Sequence, residues 1–573
     1  METQTKNCQN CKQDFIIDSE DMAFYGKANV PFPTWCPKCR MIRRLNYRNE
    51  RYLYRRPDFL TGQEIFASFP KEANVRTIEN KGWYGTDWDP LDYGLEYDFS
   101  KPFFEQLAVL LTQAPLPARS VFNLINSDYS NEASELKNCY LCFNTDYGEN
   151  SAYMRKANHF KDCFDLYECT EDELCYESVM VDKSYQTLFS VDCESCVNVW
   201  FSKGLRGCTN CFGCVNLRNK SYYFLNEPCT KEEYAQKLQM LNLGLYKTIE
   251  DTRQQVARFW MTFPNKYNHN LRILNSTGER IFDSKNVRDS YSVKGGENLR
   301  YCQDIQATCA NCYDYSVWGA GSENMYECMT CGMGCYNVKF SFNCWENARD
   351  LEYCIYSMGS KDCFGCVGLY KKQYCILNKQ YTKEEYFALR EKIIAHMNDM
   401  PYVDPKGRVY RYGEFLPSEL SPHTYNESIA NDFYPLTQES AIAEGYTWRE
   451  PVTKAFTITI KAEDLPDSIE EVDEHITNEV ISCKACSKAY KIIPLEFQFY
   501  KKLGVPLPRF CHDCRFIERF TFINPPELWH RQCMCDKDTH SHAGVCPNQF
   551  ETSYAPERPD IVYCEECYQE EVM

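Results

Sequence analysis

A mainly β protein, with a duplicated β-solenoid-like centre between small α+β modules at both ends, is what three features of this sequence predict. The first is a segment that occurs twice. Cys211-Phe212-Gly213-Cys214 runs on through Tyr222, Leu225 and Asn226 to Thr230-Lys231-Glu232-Glu233-Tyr234. It returns 152 residues later as Cys363-Phe364-Gly365-Cys366, Tyr374, Leu377, Asn378 and Thr382-Lys383-Glu384-Glu385-Tyr386, and upstream Cys163-Phe164-Asp165 answers Cys312-Tyr313-Asp314. Self-similarity at a fixed offset marks a tandem repeat. The second feature is a paired Cys-x2-Cys pattern with a 24-residue gap, Cys8/Cys11 and Cys36/Cys39, which recurs 475 positions on as Cys483/Cys486 and Cys511/Cys514. The third is a run of short aromatic-Cys arcs in the centre, spaced 9 to 15 residues apart with Asn, Asp and Gly in the turns. Such arcs are too short for crossover helices, so strands coiled into rungs about 4.8 Å apart fit best.

Composition narrows the class. At 573 residues the chain exceeds one hydrophobic core. Aromatics at 15% and hydrophobics at 44% argue for folded structure. A net charge of −18 argues against a surface that coats nucleic acid or anionic membrane as a whole. No apolar run reaches the roughly 18 residues of a membrane-spanning helix, so no membrane contact is expected. Met1-Glu2-Thr3-Gln4-Thr5-Lys6-Asn7 lacks the apolar core of a signal peptide. The expectation is a cytoplasmic chain whose 35 cysteines are metal ligands or small buried apolar groups rather than disulfides.

In chain order, 1–56 reads as a zinc module. Two Cys-x2-Cys knuckles present Cys8, Cys11, Cys36 and Cys39 tetrahedrally, and a full thiolate set leaves no catalytic position open. Ser19 is expected to cap a helix over Glu20 to Lys27. Residues 36 to 56 carry a net +7, leaving −25 elsewhere. Arg40, Arg44 and Arg56 recur in the C-terminal copy as Arg515, Arg519 and Arg531 and are assigned to the shared fold. Lys38, Arg43, Arg48, Arg51 and Arg55 become Asp513, Glu518, Ile523, Pro526 and His530. These five, interleaved with Tyr47, Tyr52 and Tyr54, are the candidate contacts to RNA or DNA. At helical spacing Arg44, Arg48, Arg51 and Arg55 would share a face. Pairing with the chain's own acidic bulk is the competing reading.

Residues 57–85 read as a module that has lost its metal, with Asp58, Thr61, Glu79 and Gly82 standing where the C-terminal copy has Cys533, Cys546, Cys564 and Cys567. A connector follows over 86–120, with a short helix at about Pro102 to Leu111. The repeats occupy 121–246 and 275–398, joined by a helical linker, 247–274. Each ends in a helix opened by a capping box, Thr230 with Glu233 and Thr382 with Glu385, placed to cover an open strand edge. Within Cys208-x2-Cys211-x2-Cys214 and Cys328-x2-Cys331-x3-Cys335, Cys208, Cys328, Cys331 and Cys335 have no thiol at the matching place in the other repeat, whereas aromatic positions match. They read as small hydrophobes stacked in a narrow coil rather than as an iron–sulfur or further zinc site. A second connector, 399–481, has turn chemistry at Asp404-Pro405-Lys406-Gly407, an amphipathic piece after Thr437 and a strand at about Ala455 to Lys461. Residues 482–531 repeat the zinc module with Cys483, Cys486, Cys511 and Cys514. In a last module, 532–573, Cys546, Cys564 and Cys567 are firm ligands, Cys533 is the aligned fourth, and Cys535, His540 and His542 lie close enough to compete.

Several stretches carry a resemblance. Gln532-Cys533-Met534-Cys535-Asp536-Lys537, Phe550-Glu551-Thr552-Ser553-Tyr554-Ala555-Pro556, Ile561-Val562-Tyr563-Cys564-Glu565-Glu566-Cys567-Tyr568 and Trp88-Asp89-Pro90-Leu91-Asp92-Tyr93-Gly94 resemble an uncharacterised family of bacterial zinc-binding proteins. The resemblance covers nearly the whole chain. It implies treble-clef or zinc-ribbon-like modules at both ends and brings no activity. No phosphate loop, nucleophile elbow, HExxH or CxxCH motif is present. The expected function is a non-enzymatic scaffold or adaptor with about three structural Zn2+, offered to protein or nucleic-acid partners, with no small-molecule substrate identifiable. One alternative is a β-helix-type enzyme using Asp162, Asp165, Asp304 and Asp350. Another is a thiol redox or iron–sulfur protein.

Overall fold

The computed structural model describes residues 3–450 and 456–572, and among these no helix is long and apolar enough to cross a membrane. The chain is mainly β with some helices. Two large sheets, in 121–228 and 271–380, are built almost wholly of parallel neighbours. In the first, residue i pairs with i + 12: Val121 with Ala133, Phe143 with Arg155, Tyr176 with Leu188, Val197 with Thr209. Parallel partners this close leave no room for a crossover helix, so the chain winds back on itself once per turn.

A second rhythm shows how each turn closes. From Glu132 to Leu225 every third residue has left-handed backbone, as in Glu135, Asn138, Leu141 and Asn144. The residue after nearly all of these points inward, as with Leu136, Cys139 and Cys142. Four such corners close each twelve-residue turn. Left-handed backbone costs an L-residue on the order of 1 kcal/mol or more, which is why Asn, Asp and Gly crowd the corners. The hydrogen-bonded ladder holds Leu141, Met180 and Phe201 there as well. Corner amides stack turn on turn, Asn126 on Asn138 at 3.1 Å and Asn138 on Asn150 at 3.0 Å.

All cysteines from Cys139 to Cys214 fall on the inward third of this frame. Most of these sulfurs lie against carbonyls of their own turn and the next. Cys175 Sγ is 3.5 Å from Glu173 O and 3.7 Å from Ser184 O. Ser178 fills the same kind of place, its hydroxyl donating to Tyr176 O and Thr187 O. Burial pushes the Cys169 and Cys175 thiols up, so they stay protonated and are poor ligands at neutral pH. The second sheet opens at an offset of eleven (Leu271 with Phe282), runs at twelve near its ends (Gly278 with Ser290, Arg349 with Lys361) and at thirteen between, as in Glu297 with Ala310 and Tyr313 with Tyr326. The extra residue per turn shifts the inward frame.

Each repeat ends as its capping box predicts, in helices Lys231–Leu241 and Lys383–Asp399. Asn226 and Asn378 finish the ladders. Each side-chain amide bonds both the N–H and the carbonyl of a residue on the last turn, Val215 and Val367 respectively. Between the knuckles, helix Ser19–Ala28 is capped by Asp18 rather than Ser19, because the Asp18 carboxylate accepts from the Glu20 and Asp21 amides. The connector helix runs over Phe103–Gln113 and a shorter one over Gln438–Ala443. Of the strand expected at Ala455 to Lys461, Ile460–Lys461 forms; Ala455 lies outside the described residues.

The two knuckle modules dock crosswise. The N-terminal module packs on the second repeat and 482–531 on the first. Phe24 stacks on Tyr313 at 3.8 Å, and its copy Phe499 stacks on Phe164 at 4.2 Å. Arg40 and Arg44 reach Asp314 at 2.8 and 3.0 Å, while their copies Arg515 and Arg519 reach Asp165 at 3.0 and 2.8 Å. All six of these charged side chains are buried.

Candidate metal centres

Each knuckle is built the same way. A hairpin closes from the Cys8 N–H to Gln13 O, with Lys12 in left-handed backbone; Cys483, Lys488 and Ser487 repeat it. The second pair sits at a helix start, Cys36 at the N-cap of Pro37–Leu45 and Cys511 at the N-cap of His512–Phe520. One amide then ties the halves together. Cys36 N–H donates to Cys8 Sγ, and Cys511 N–H to Cys483 Sγ, both at 3.2 Å.

The structure brings together the two four-cysteine sets expected from spacing, Cys8/Cys11/Cys36/Cys39 and Cys483/Cys486/Cys511/Cys514, with all donor atoms within 4.8 Å of one another. Individual sulfurs stand 3.7 Å apart (Cys11 to Cys36), 3.8 Å (Cys483 to Cys514) and 3.7 Å (Cys486 to Cys511). That is the edge of a tetrahedron whose centre-to-sulfur bonds are about 2.3 Å. These sets fit a metal ion. In the last module Cys533 joins Cys546, Cys564 and Cys567 in a third set, all four buried, and Cys564 N–H donates to Cys533 Sγ at 3.2 Å. Cys535, His540 and His542 do not compete for that set; with Cys567 they form a further group. Among the described residues no such group includes a central cysteine.

Residues 57–85 repeat the module around a carboxylate. Asp58 N–H donates to Gln63 O across a turn with Gly62 left-handed at a φ of 69°, and Glu79 caps helix Asn80–Trp83. Asp58 Oδ2 accepts from Glu79 N–H at 2.6 Å, the bond Cys8 Sγ takes from Cys36. Asp58 Oδ1 accepts from the Leu60 and Thr61 amides. Those amides hold the carboxyl below its usual range. A fixed anion thus stands where the knuckle modules have a thiolate, and Trp83 is buried against Tyr84 and Trp88.

The five surplus cations do not form one face. Helix Pro37–Leu45 ends before Arg48, Arg51 and Arg55, and Tyr54–Pro57 is a strand, so helical spacing does not apply. Arg43 is fully buried and reaches Glu327 at 3.1 Å and Glu414 at 3.2 Å. Arg48 is buried against Glu50 and Glu132, and Arg51 pairs with Asp432 and Asp513. Lys38 pairs with Glu527 at a half-exposed site, and exposed Arg55 lies over the Phe66 ring. Tyr47 is buried among Phe342 and Phe415.

The four candidate carboxylates do not converge. Asp165 is buried under Arg515 and Arg519, Asp162 pairs with Lys502, and Asp350 accepts from Asn337. Asp304 pairs with Lys156 and lines a cavity of about 690 Å³ between the repeats, with Glu168, Asp192, His269 and Arg280. Sequence reasoning missed Asp314 and Glu327 as docking residues and took Asp165 for a catalytic candidate. A signal existed: the arginines and the Asp165/Asp314 pair are both duplicated, as partners that touch in each copy would be.

No family model matches the sequence, and no curated protein matches it. Among solved structures, a “putative acetyltransferase from Desulfovibrio desulfuricans G20” aligns with 51% of this chain and 86% of its own at 8% identity and a TM-score of 0.10. A likeness at that score carries no argument.

Proposed function

We propose that this chain is a non-enzymatic, zinc-stabilised scaffold or adaptor. In this reading treble-clef or zinc-ribbon-like modules clamp two β-solenoid bodies into one unit that presents a surface to protein partners. The observation that carries it is the docking seen twice, where each knuckle helix sends two arginines to one buried aspartate of the opposite repeat. Closed four-cysteine sets support it too, because four thiolates leave no position for a substrate. Zinc suits such a tetrahedral sulfur cage, with iron the competing ion. Nucleic-acid contact would rest on Lys38 and Arg55 rather than on the five cations together, and carboxylates that do not converge give the enzyme reading little to work with.

Elemental analysis of the full chain tests the zinc reading. Zinc is expected as the dominant metal, with at least one ion for each of the three four-cysteine sets, and a strong chelator is expected to lower the Tm. Iron in comparable amount, or metal lost on Cys211→Ser/Cys214→Ser, refutes it. RNA and DNA binding by wild type and Lys38→Glu/Arg55→Glu at two salt concentrations tests the remaining electrostatic route; equal binding by both excludes it.

A further inference from the structure

Cys567 belongs to two donor groups at once. It completes Cys533/Cys546/Cys564, and it also stands within 4.8 Å of the donor atoms of Cys535, His540 and His542. We propose that the last module holds two metal ions of the zinc type, joined by the Cys567 thiolate. The second site is Cys535, His540, His542 and the shared Cys567.

The chain supplies this site through an insertion that the fold does not need. Where Cys8, Cys483 and Asp58 close their hairpins onto Gln13, Lys488 and Gln63, the Cys533 N–H reaches past ten additional residues to Asn548 O at 2.8 Å. The three sibling modules do without those residues, and all three unshared donors of the second site lie in them or at their edge. The histidines are set for coordination. His542 Nδ1 bonds Gly544 O at 2.8 Å, which fixes the tautomer, and its Nε2 is buried without a partner. His540 is 5% exposed, with Nδ1 at 3.1 Å from Cys535 Sγ and Nε2 facing Glu571 Oε2 at 3.6 Å. A carboxylate behind the outer nitrogen of a ligating imidazole is the usual support for such a ligand.

Charge favours the pair. Four thiolates around one divalent ion leave two negative charges in a buried cluster. A second divalent ion that brings one new thiolate and two neutral imidazoles leaves one, and buried net charge is costly. Two sulfurs and two nitrogens suit zinc in tetrahedral geometry.

The inference rests on the four-cysteine sets being zinc sites, and metal counts separate the two. Native mass spectrometry of the full chain is expected to show one ion for each of the four donor groups. His540→Ala/His542→Ala is expected to lose one ion and keep the rest, since the sibling modules fold without the insertion. Three ions in wild type, unchanged in the double variant, overturn the second site while leaving the four-cysteine reading intact; none in wild type sinks both. X-ray absorption at the zinc edge of wild type needs no variant: imidazole scattering is expected, and its absence overturns the site. Cys567→Ser is expected to weaken both ions of the module, and a loss confined to one overturns the bridge.

Discussion

Asp172 stands at an inward position of the first repeat, in a frame filled mostly by Cys, Ser, Thr and apolar side chains. Its Oδ1 accepts from Ser184 N–H at 2.8 Å, its other oxygen is buried without a partner, and burial pushes its pKa up to about 9. The folded chain keeps this proton at neutral pH, whereas an unfolded chain has released it. Stability is therefore drained as pH rises from about 4 towards 9. Asp172→Asn, which keeps the acceptor, is expected to raise the Tm more at pH 8 than at pH 5. An equal change at both pH values would sink this account. The inward cysteines make a second case at this scale. Burying a hydroxyl in place of Cys211 would be expected from sequence to cost on the order of 1–3 kcal/mol. The structure revises that, because Cys211 Sγ already faces Thr209 O and Lys220 O, the two kinds of carbonyl that Ser178 uses. Cys211→Ser is expected to cost no more than about 1 kcal/mol by chemical denaturation, and a loss several times larger would show that the inward thiols are not interchangeable with hydroxyls.

Among elements, the module around Asp58 shows how a knuckle-like turn is held by a carboxylate instead of thiolates. The fold must still satisfy the amides that point into the site, and a carboxylate with oxygens 2.6 to 3.0 Å from Glu79, Leu60 and Thr61 N–H does so. Asp58→Ala leaves these donors unpaired, and a destabilisation on the order of 2 kcal/mol or more is expected. Because those amides depress the Asp58 pKa, its contribution is present above the unfolded pKa of about 4 and is lost as pH falls through the folded value. Wild type and variant should therefore converge in urea titrations at low pH. A constant gap down to the acid limit would mean that Asp58 acts through packing alone.

At the scale of the whole molecule the arginine–aspartate contacts decide which parts hold which. Arg519 has Asp165 as its ion-pair partner, and Arg515 shares Asp165 with Glu496. Removing that carboxylate strands buried cations, for which about 3–5 kcal/mol is typical. Asp165→Ala is expected to speed hydrogen exchange in helices Pro494–Leu503 and His512–Phe520, and Asp314→Ala to do so in Ser19–Ala28 and Pro37–Leu45. The crosswise result is the diagnostic one: if Asp165→Ala loosened the N-terminal module instead, the docking scheme would fail.

The sequence by itself determined what is written in residues a few positions apart, namely the four-cysteine sets and both capping boxes. These depend on short-range geometry that the backbone imposes wherever it occurs. The twelve-residue turn was half legible, since the cysteines from Cys139 to Cys214 all differ by multiples of three, but the inward frame mixes Cys with Ser, Thr, Leu, Phe and Gly and so hides its period from hydrophobicity. Only the tertiary structure decided what the basic stretch after Cys39 does. Charge along a sequence has no direction, and it is the fold that turns Arg40, Arg43 and Arg44 inward to carboxylates some 270 to 370 positions away. It decided the fate of Cys535, His540 and His542 for the same reason. Spacing shows that donors are near one another, whereas the position of Cys567 between two groups is set by packing of the hairpin against the last helix.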